Sequence, residues 1–402
     1  MSKIKSIGTF APNHSQHIHG WYPYIEGYAS DLVSRELAKL DKNKINLIYD
    51  PFGGTGTTPL VAATSGFDSL YSETNPFMRQ VIDAKTNGVK VIAGDEKRLH
   101  ELIDLLSFLS AKRDNAELLV SDIKWGGFEK YFYAETLSQI LFVKAQIDQR
   151  CNGAAKDIAM VALSSILVPV SLMTRRGDLR FAKDSELEKK EFDAVLSFCN
   201  KLKTVISDIA ICGNSIRGNV TCASEDSRDI PEGLGIDCVI TSPPYLNGTN
   251  YIRNTKLELK LNDYVDREAD LSHLHAKGIV AGINNVNKAT ARHEIPNEVT
   301  DIYNKLIPVA YDKRIPTMVA SYFGDMNDLF TSLAASMSDG GYFIMDIGDS
   351  QFAGVHIPTH KLLETIAAPH GFTKYSEDTL RERRSRNGMI LTQKLLRFRL
   401  VK

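Results

Sequence analysis

Ile45-Asn46-Leu47-Ile48-Tyr49-Asp50-Pro51-Phe52-Gly53-Gly54-Thr55-Gly56-Thr57-Thr58 is a short apolar run that breaks at a proline and a cluster of glycines. A run of this length, apolar on consecutive positions, reads as a parallel strand buried on both faces. The glycines behind it allow a tight turn and the close approach of a ligand, and the spacing predicts a helix from about Thr57 through Thr64. Pro59 fits the first helical turn, where an N–H has no intrahelical partner to lose. Ser69-Leu70-Tyr71-Ser72 reads as the next strand, ending at Glu73. Strand, glycine turn, helix and strand make one βαβ unit, so the fold class expected is α/β with a Rossmann-like, doubly wound sheet.

Outward from this unit the character of the chain changes. Between Lys85 and Asn214, the segments Leu99 to Leu109, Leu137 to Ile147, Ile158 to Leu167 and Phe192 to Ile211 carry apolar residues at three- and four-residue spacing, which predicts a mostly helical insertion. Strand patterns return at Asn219 to Cys222, at Asp237 to Ile240 and at Gly341 to Asp346, and Met389 to Val401 alternates like a β-hairpin arm. The polar stretch from Leu261 to Pro308 reads as long loops with short helices. The expected organisation is residues 1–84 as the first part of the α/β domain, 85–215 as the helical insertion, and 216–402 as the second part. Within the last, 262–300 are the polar loops.

The bulk composition narrows the classes. At 402 residues, 43% hydrophobic and 24% charged, the chain has the makings of a sizeable core. No apolar run approaches the roughly 18 residues of a membrane span, and Lys3 and Lys5 have no apolar stretch behind them, so neither a membrane nor a secretory signal is expected. Five scattered cysteines without a C-x-x-C pair argue against a zinc site and a disulfide framework, and point to a reducing cytoplasm. The formal net charge of -1 permits nucleic-acid binding only if positive charge is gathered on one face. Arg381, Arg383, Arg384, Arg386, Lys394, Arg397, Arg399 and Lys402 crowd the last stretch, which reads equally as such a face or as a solvated strand.

Two segments carry the chemistry. The glycine turn lacks the lysine of a phosphate-binding loop and the third glycine of a dinucleotide fingerprint, so by itself it is a ligand-approaching turn of unspecified class. Glu73 stands at the end of the next strand, where a ribose-binding carboxylate belongs, and a solvated strand-end acid would look the same. The second segment, Asp237-Cys238-Val239-Ile240-Thr241-Ser242-Pro243-Pro244-Tyr245, is a strand running into two prolines and an aromatic. Prolines fix the backbone there and cannot extend the ladder, which frees carbonyls at the sheet edge where α/β folds bind ligands. Rigid acceptors beside an aromatic face suit a planar group bearing an NH2, although a proline-terminated strand with a packing tyrosine has the same letters.

Taken together, the two segments resemble the amino-methyltransferases that make N4-methylcytosine and N6-methyladenine in DNA. Asp50-Pro51-Phe52-Gly53-Gly54-Thr55-Gly56-Thr57-Thr58 resembles the family's S-adenosylmethionine motif, with Phe52, Gly54 and Gly56 in the F-x-G-x-G places. Glu73-Thr74-Asn75-Pro76 resembles the acidic motif that holds the cofactor ribose. Asp226-Ser227-Arg228-Asp229-Ile230-Pro231 resembles the segment whose first acid meets the cofactor adenine, a role that passes to Asp226. His19-Gly20-Trp21-Tyr22-Pro23-Tyr24 resembles the segment flanking the cofactor's methionine end, with Tyr22 as the contact. Ser242-Pro243-Pro244-Tyr245 resembles the catalytic motif in its Ser form, typical of the cytosine-N4 enzymes; adenine-directed members usually carry Asp or Asn there.

The resemblance covers roughly Trp21 to Pro76, Val220 to Leu261 and Gly341 onward. It implies a class I methyltransferase sheet, S-adenosylmethionine as cofactor without a metal, and double-stranded DNA as partner. It also implies a restriction–modification setting, with a cognate endonuclease as a further partner. Methyl transfer would run directly to the N4 of a flipped-out cytosine, with Ser242 and the Pro243 carbonyl accepting from the amino group, Pro244 stiffening the turn and Tyr245 stacking on the base. No Pro-Cys pair of the ring-carbon enzymes occurs, so no covalent intermediate is expected. The same pocket chemistry leaves N6-adenine, RNA and a protein amide open as targets. Two departures stand out: the helical block separates the ribose acid from the adenine acid, and the sequence shows no recognition region after the core strands. Target reading therefore falls to the insertion or to 262–300, with Arg175, Arg176, Arg180, Arg381, Arg383, Arg384 and Arg386 as the expected DNA contacts.

Overall fold

The computed structural model describes residues 7–24, 26–112, 123–246, 250–275, 277–287, 290–291, 295–385 and 387–402, the side chains of Arg176 and His275 aside. The apolar run before the glycine turn is strand β1 (Leu47–Asp50), followed by the helix Thr57–Ser65 and by β2 (Asp68–Ser72). The remaining strands are β3 (Met173–Arg176), β4 (Asp178–Phe181), β5 (Val220–Ser224), β6 (Ile236–Thr241) and β7 (Met337–Gly348), then β8 (Ser350–Phe352), β9 (Val355–Ile357), β10 (Phe372–Arg384) and β11 (Ile390–Leu400). Seven of them form one sheet in the order β10-β11-β7-β6-β1-β2-β5. Every pairing from β5 to β7 is parallel, and β11 runs antiparallel to both β7 and β10. This is the Rossmann-like class I methyltransferase sheet implied by the resemblance.

Side-chain alternation along the strands explains why both faces are covered. Ile48, Cys238, Ile240 and Ile344 pack with Leu32, Val33 and Leu37 of the helix Ser30–Leu37 and with Val61 and Ala62 of Thr57–Ser65. Their neighbours Tyr49, Val239, Phe343 and Met345 turn the other way, against Phe323 and Phe330 of the helix Arg314–Ser336. That 23-residue helix has no clear signal in the sequence, because its buried positions run nearly all round it and blur the periodicity.

Between β2 and β5 lies the expected helical block: Glu96–Lys112, Ala134–Arg150, Ala154–Val170 and Ala194–Cys212. Ala154–Val170 is its centre and is buried on every side. The block also carries an unforeseen β-hairpin, β3–β4, turning at Gly177 with φ +82°.

The C-terminal stretch forms the expected hairpin arm: β11 pairs antiparallel with β10, and it also lies inside the sheet against β7. Arg397, part of the basic tail, is accordingly buried, and its guanidinium grips the Glu36 carboxylate through Nε at 2.6 Å and Nη2 at 2.9 Å. Burial alone would raise the Glu36 carboxyl, but Arg397 and Lys39 outweigh it and hold the group below its ordinary value. All five cysteines are free. Among the described residues no helix is long and apolar enough to cross a membrane, and no cluster of metal-ligating side chains is present.

Candidate functional site

The site forms where β1 and β6 end side by side. Asp50, the last residue of β1, is buried; its Oδ1 accepts from the Phe52 N–H at 3.0 Å and the Thr241 hydroxyl at 2.6 Å, while Oδ2 accepts from the Tyr28 hydroxyl at 3.0 Å. Burial pushes the Asp50 carboxyl up to about 6, against the pull of these donors. Thr58 donates to the Ile240 carbonyl at 3.1 Å and shares a hydrogen bond with Tyr28 at 2.6 Å. The chain then swings through Gly54 (φ +51°) and Gly56 (φ +81°), conformations that suit glycine, before the helix begins. A cavity of about 290 Å³ opens over this turn. Pro51, Phe52, Gly53, Gly54 and Thr57 line it, whereas Asp50, Gly56 and Thr58 build the turn from behind.

Glu73 closes the next side. Its Oε2 accepts from the Gly54 N–H and its Oε1 from the Asn75 N–H, both at 2.8 Å, which fixes the carboxylate while leaving each oxygen a further lone pair. Burial raises this carboxyl to about 7. Farther along the wall the structure departs from the expected set. Asp226 itself is held by Arg228, with Nε at 2.9 Å from Oδ1 and Nη2 at 2.7 Å from Oδ2; its neighbours Glu225 and Ser227 face the cavity in its place. The opposite wall comes from residues 277–285, pinned where Asp325 accepts from the Val280 N–H at 2.9 Å and from Arg228 Nη1 at 2.9 Å.

The N-terminal segment supplies Tyr24, Glu26, Gly27 and Tyr28 to the cavity. Tyr22, the expected contact, turns inward instead: it is buried and donates to Glu258 at 2.8 Å. The helical block holds this segment in place. Asp208, on the helix Ala194–Cys212, accepts from the Ile18 N–H at 2.9 Å, Trp21 Nε1 at 2.8 Å and His17 Nδ1 at 2.6 Å. Lys201 donates to the Gly20 carbonyl at 2.9 Å. Lys85, in a π-helical turn, donates to both His19 and Thr55 carbonyls at 3.1 Å, joining the segment to the glycine turn. Burial lowers the Lys85 ammonium to about 7.

At the end of β6, Ser242 and Pro244 line the cavity and Pro243 is buried behind them. Tyr245 does not line it: its hydroxyl donates to Asp346 at 3.1 Å and its ring lies against Gly348. Asp346 is buried, accepts from Gln393 Nε2 at 2.9 Å on both oxygens, and is raised by burial to about 7. The expected DNA contacts divide. Arg175 is a correction, since its guanidinium is buried and paired with Glu258 at 2.8 Å. Arg180 forks onto Glu186 at 2.9 and 3.0 Å. Arg381, Arg383 and Arg384 are exposed on β10. The Arg176 side chain and Arg386 lie outside the described residues.

No family model matches the chain. The Type II methyltransferase M.BsoBI of Geobacillus stearothermophilus is 23% identical over 434 residues, spanning 94% of this chain and 83% of that protein. The Type II methyltransferases M.AvaI of a Nostoc species and of Anabaena variabilis are each 23% identical over 411 residues, spanning 92% of this chain and 82% of theirs. Among solved structures, a SAM-dependent methyltransferase of Methanosarcina mazei aligns with a TM-score of 0.31 at 8% identity, covering 91% of this chain and 97% of that one. The rRNA methyltransferase AviRa of Streptomyces viridochromogenes aligns with a TM-score of 0.31 at 10% identity, covering 99% and 92%.

The Asp208 clamp makes a direct prediction. Asp208→Ala strands three donors, at a cost of about 1–3 kcal/mol, and should expose the chain around residues 17–24 to limited proteolysis while the helical circular dichroism stays as it was. Cleavage kinetics equal to wild type would show that the clamp does not hold the segment.

Proposed function

We propose that the chain is an S-adenosylmethionine-dependent DNA methyltransferase that methylates the exocyclic N4 of cytosine. One observation carries the reading: a single cavity is walled by the glycine turn and Glu73 on one side and by Ser242 and Pro244 on the other. The names of the relatives, Type II methyltransferases matched over nearly the whole chain, support methyl transfer.

The residues present fit the cofactor. Glu73 has one free lone pair on each pinned oxygen for two ribose hydroxyls, and Gly53 and Gly54 let the backbone come close beside Pro51, Phe52 and Thr57. When bound, S-adenosylmethionine supplies an electrophilic methyl group on a sulfonium. The chain's own task is to make an aromatic amine nucleophilic. The Ser242 hydroxyl and the Pro243 carbonyl accept hydrogen bonds from the amino N–H groups, which favours a pyramidal nitrogen and stabilises positive charge developing on it. Pro243 and Pro244 hold these acceptors rigid, so little reorganisation is needed. The base reaches the cavity by flipping out of the duplex, at a cost of a few kcal/mol. Serine at position 242, in place of Asp or Asn, favours cytosine over adenine.

Strand register places the exposed arginines on the same side. Gly348, at the carboxyl end of β7, pairs with Gln393 of β11, and Gln393 pairs with Arg381 of β10. Arg381, Arg383 and Arg384 therefore stand at the sheet edge that carries Ser242, where they meet duplex phosphates.

Four outcomes test this. Transfer of labelled methyl to plasmid DNA followed by nucleoside analysis should yield N4-methylcytosine; N6-methyladenine would move the target to adenine, and unlabelled DNA would sink the reading. Ser242→Ala should lower kcat on the order of 100-fold or more while cofactor affinity is retained. Cofactor affinity itself should follow the ionisation of Glu73. The ionised carboxylate is the better acceptor, so binding tightens as pH rises through about 7 and is roughly tenfold weaker at pH 6 than at pH 8. Glu73→Gln should flatten that profile, which separates Glu73 from Lys85 and Asp50 nearby; a flat wild-type profile would exclude the role. Finally, neutralising Arg381, Arg383 and Arg384 should reduce the slope of log K against log salt for DNA by about 0.9 for each phosphate that is no longer neutralised, and an unchanged slope removes them from the interface.

A further inference from the structure

Residues 307–311 gather large apolar side chains in water. Ile307 is 58% exposed, Val309 48% and Tyr311 74%, and among the described residues no other five consecutive positions expose more than one such side chain. Single exposed apolar residues are ordinary, whereas three on one loop point to a partner. The loop is not slack. Leu306 before it and Ile315 after it are fully buried in the core. The Leu306 carbonyl accepts from the Val309 N–H at 3.2 Å and the Ala310 N–H at 2.9 Å, and Arg314 forks onto Asp312 through Nε at 3.1 Å and Nη2 at 2.7 Å. A turn closed at both ends in this way holds its three apolar side chains outward as a rigid knob.

Topology sets this knob on the edge where the cavity opens. The helix Arg314–Ser336 ends where β7 begins, and Phe330 near its end meets Phe343 near the start of β7, with ring centroids 5.9 Å apart. The helix therefore runs back along β7, and Arg314, its first residue, stands toward the carboxyl edge of the sheet, the side that carries Ser242. Midway along, Asp325 accepts from the Val280 N–H of the cavity wall. Arg314 precedes Asp325 by eleven residues, about 16 Å along the axis at a rise of roughly 1.5 Å per residue, so the knob projects past that wall. The preceding helix, Thr300–Leu306, packs against β9, which follows the carboxyl end of β7.

We propose that Ile307, Val309 and Tyr311 form a wedge that enters the DNA duplex near the target pair and parts the base stack, so that the cytosine can leave it. The inference rests on the DNA-methyltransferase reading. Apolar side chains inserted at a base step unstack it and kink the duplex, and flipping a base out has to overcome the same stacking. Lys305 and Lys313 stand exposed on either flank of the knob, where they meet the phosphates beside an opened step. A second copy of the chain is a poorer occupant. Five residues on a convex turn cover only a small part of the roughly 800 Å² per partner that a stable protein interface buries.

Supercoiling separates a wedge from an ordinary contact, because negatively supercoiled DNA is already driven toward unwinding. Ile307→Ser, Val309→Ser and Tyr311→Ser, combined in one protein, remove the apolar surface and leave Leu306 and Ile315 in the core. Transfer of labelled methyl from S-adenosylmethionine is measured on one plasmid in its relaxed and its negatively supercoiled forms. On the relaxed plasmid the variant should lose on the order of 10- to 100-fold in kcat/KM for DNA. On the supercoiled plasmid its loss should be several-fold smaller, while wild type treats the two forms within a few fold of each other. Cofactor dissociation constants measured by calorimetry should match in both proteins. Equal losses on the two forms, no loss on either, or a changed cofactor affinity overturns the wedge and leaves the methyltransferase reading standing. Sedimentation that finds wild type dimeric and the variant monomeric also overturns it, and gives the knob to a second copy. A wild-type protein that labels neither form overturns both readings.

Discussion

The buried carboxylate of Asp50 is the constraint on which the site depends. It stands at the carboxyl edge of the sheet and draws in the hydroxyls of Thr241 and Tyr28 and the N–H of Phe52. Those three donors belong to the end of β6, the N-terminal segment and the glycine turn. A carboxylate removed from water without such donors would be strongly disfavoured in its charged form, and burial already moves Asp50 up to about 6. The three segments are thus brought together by one group that needs all of them. Glycines at 54 and 56 then let the chain leave Asp50 in left-handed conformations and return into a helix, and the space left above the turn is the cavity.

A second constraint comes from the helical block. Residues 85–215 interrupt the alternation of strand and helix between β2 and β5, and the sequence suggests a reader of the target there. Its contacts show a structural duty as well. Asp208, Lys201 and Lys85 take hold of the backbone and side chains from His17 to Trp21, and so deliver Tyr24 and Glu26 to the cavity. Lys85 reaches the Thr55 carbonyl of the glycine turn from the same position, so block and turn are locked in register by one ammonium. The β3–β4 hairpin of the block meets the opposite rim, where Asp178 faces the cavity and Gly177 accepts from Asn254.

What was legible in the sequence was local. The βαβ unit and its glycine turn are spelled by adjacent residues whose conformational demands agree, and Glu73 and Ser242 fall at strand ends that any parallel sheet gathers on one edge. What was illegible depended on partners far along the chain. Arg175 looks like a surface cation until Glu258, 83 residues away, is seen to pair with it inside the protein. Arg397 sits in a run of basic residues, yet Glu36 lies across from it, 361 residues earlier. Tyr22 looks like a cavity residue until Glu258, 236 residues away, is seen to accept from its hydroxyl. The wall at 277–285 has no periodic signal, since it is held by single contacts such as Val280 to Asp325.

The insertion of β11 between β7 and β10 ties the edge of the sheet to the chemistry at its centre. Because β11 runs antiparallel, its beginning lies level with the end of β7, which sets Gln393 across from Gly348 and beside Asp346. Gln393 offers Nε2 to both Asp346 oxygens, and Asp346 in turn fixes Tyr245, three residues beyond Ser242. The same pairing sets Arg381 across from Gln393 on the outer side. Had the last two strands been added in sequence order, β10 would separate Gln393 from Asp346, and the raised carboxyl would lack the donor that now satisfies both its oxygens. The antiparallel insertion therefore brings a neutral donor to a buried acid and the exposed arginines to the rim of the edge on which Ser242 opens.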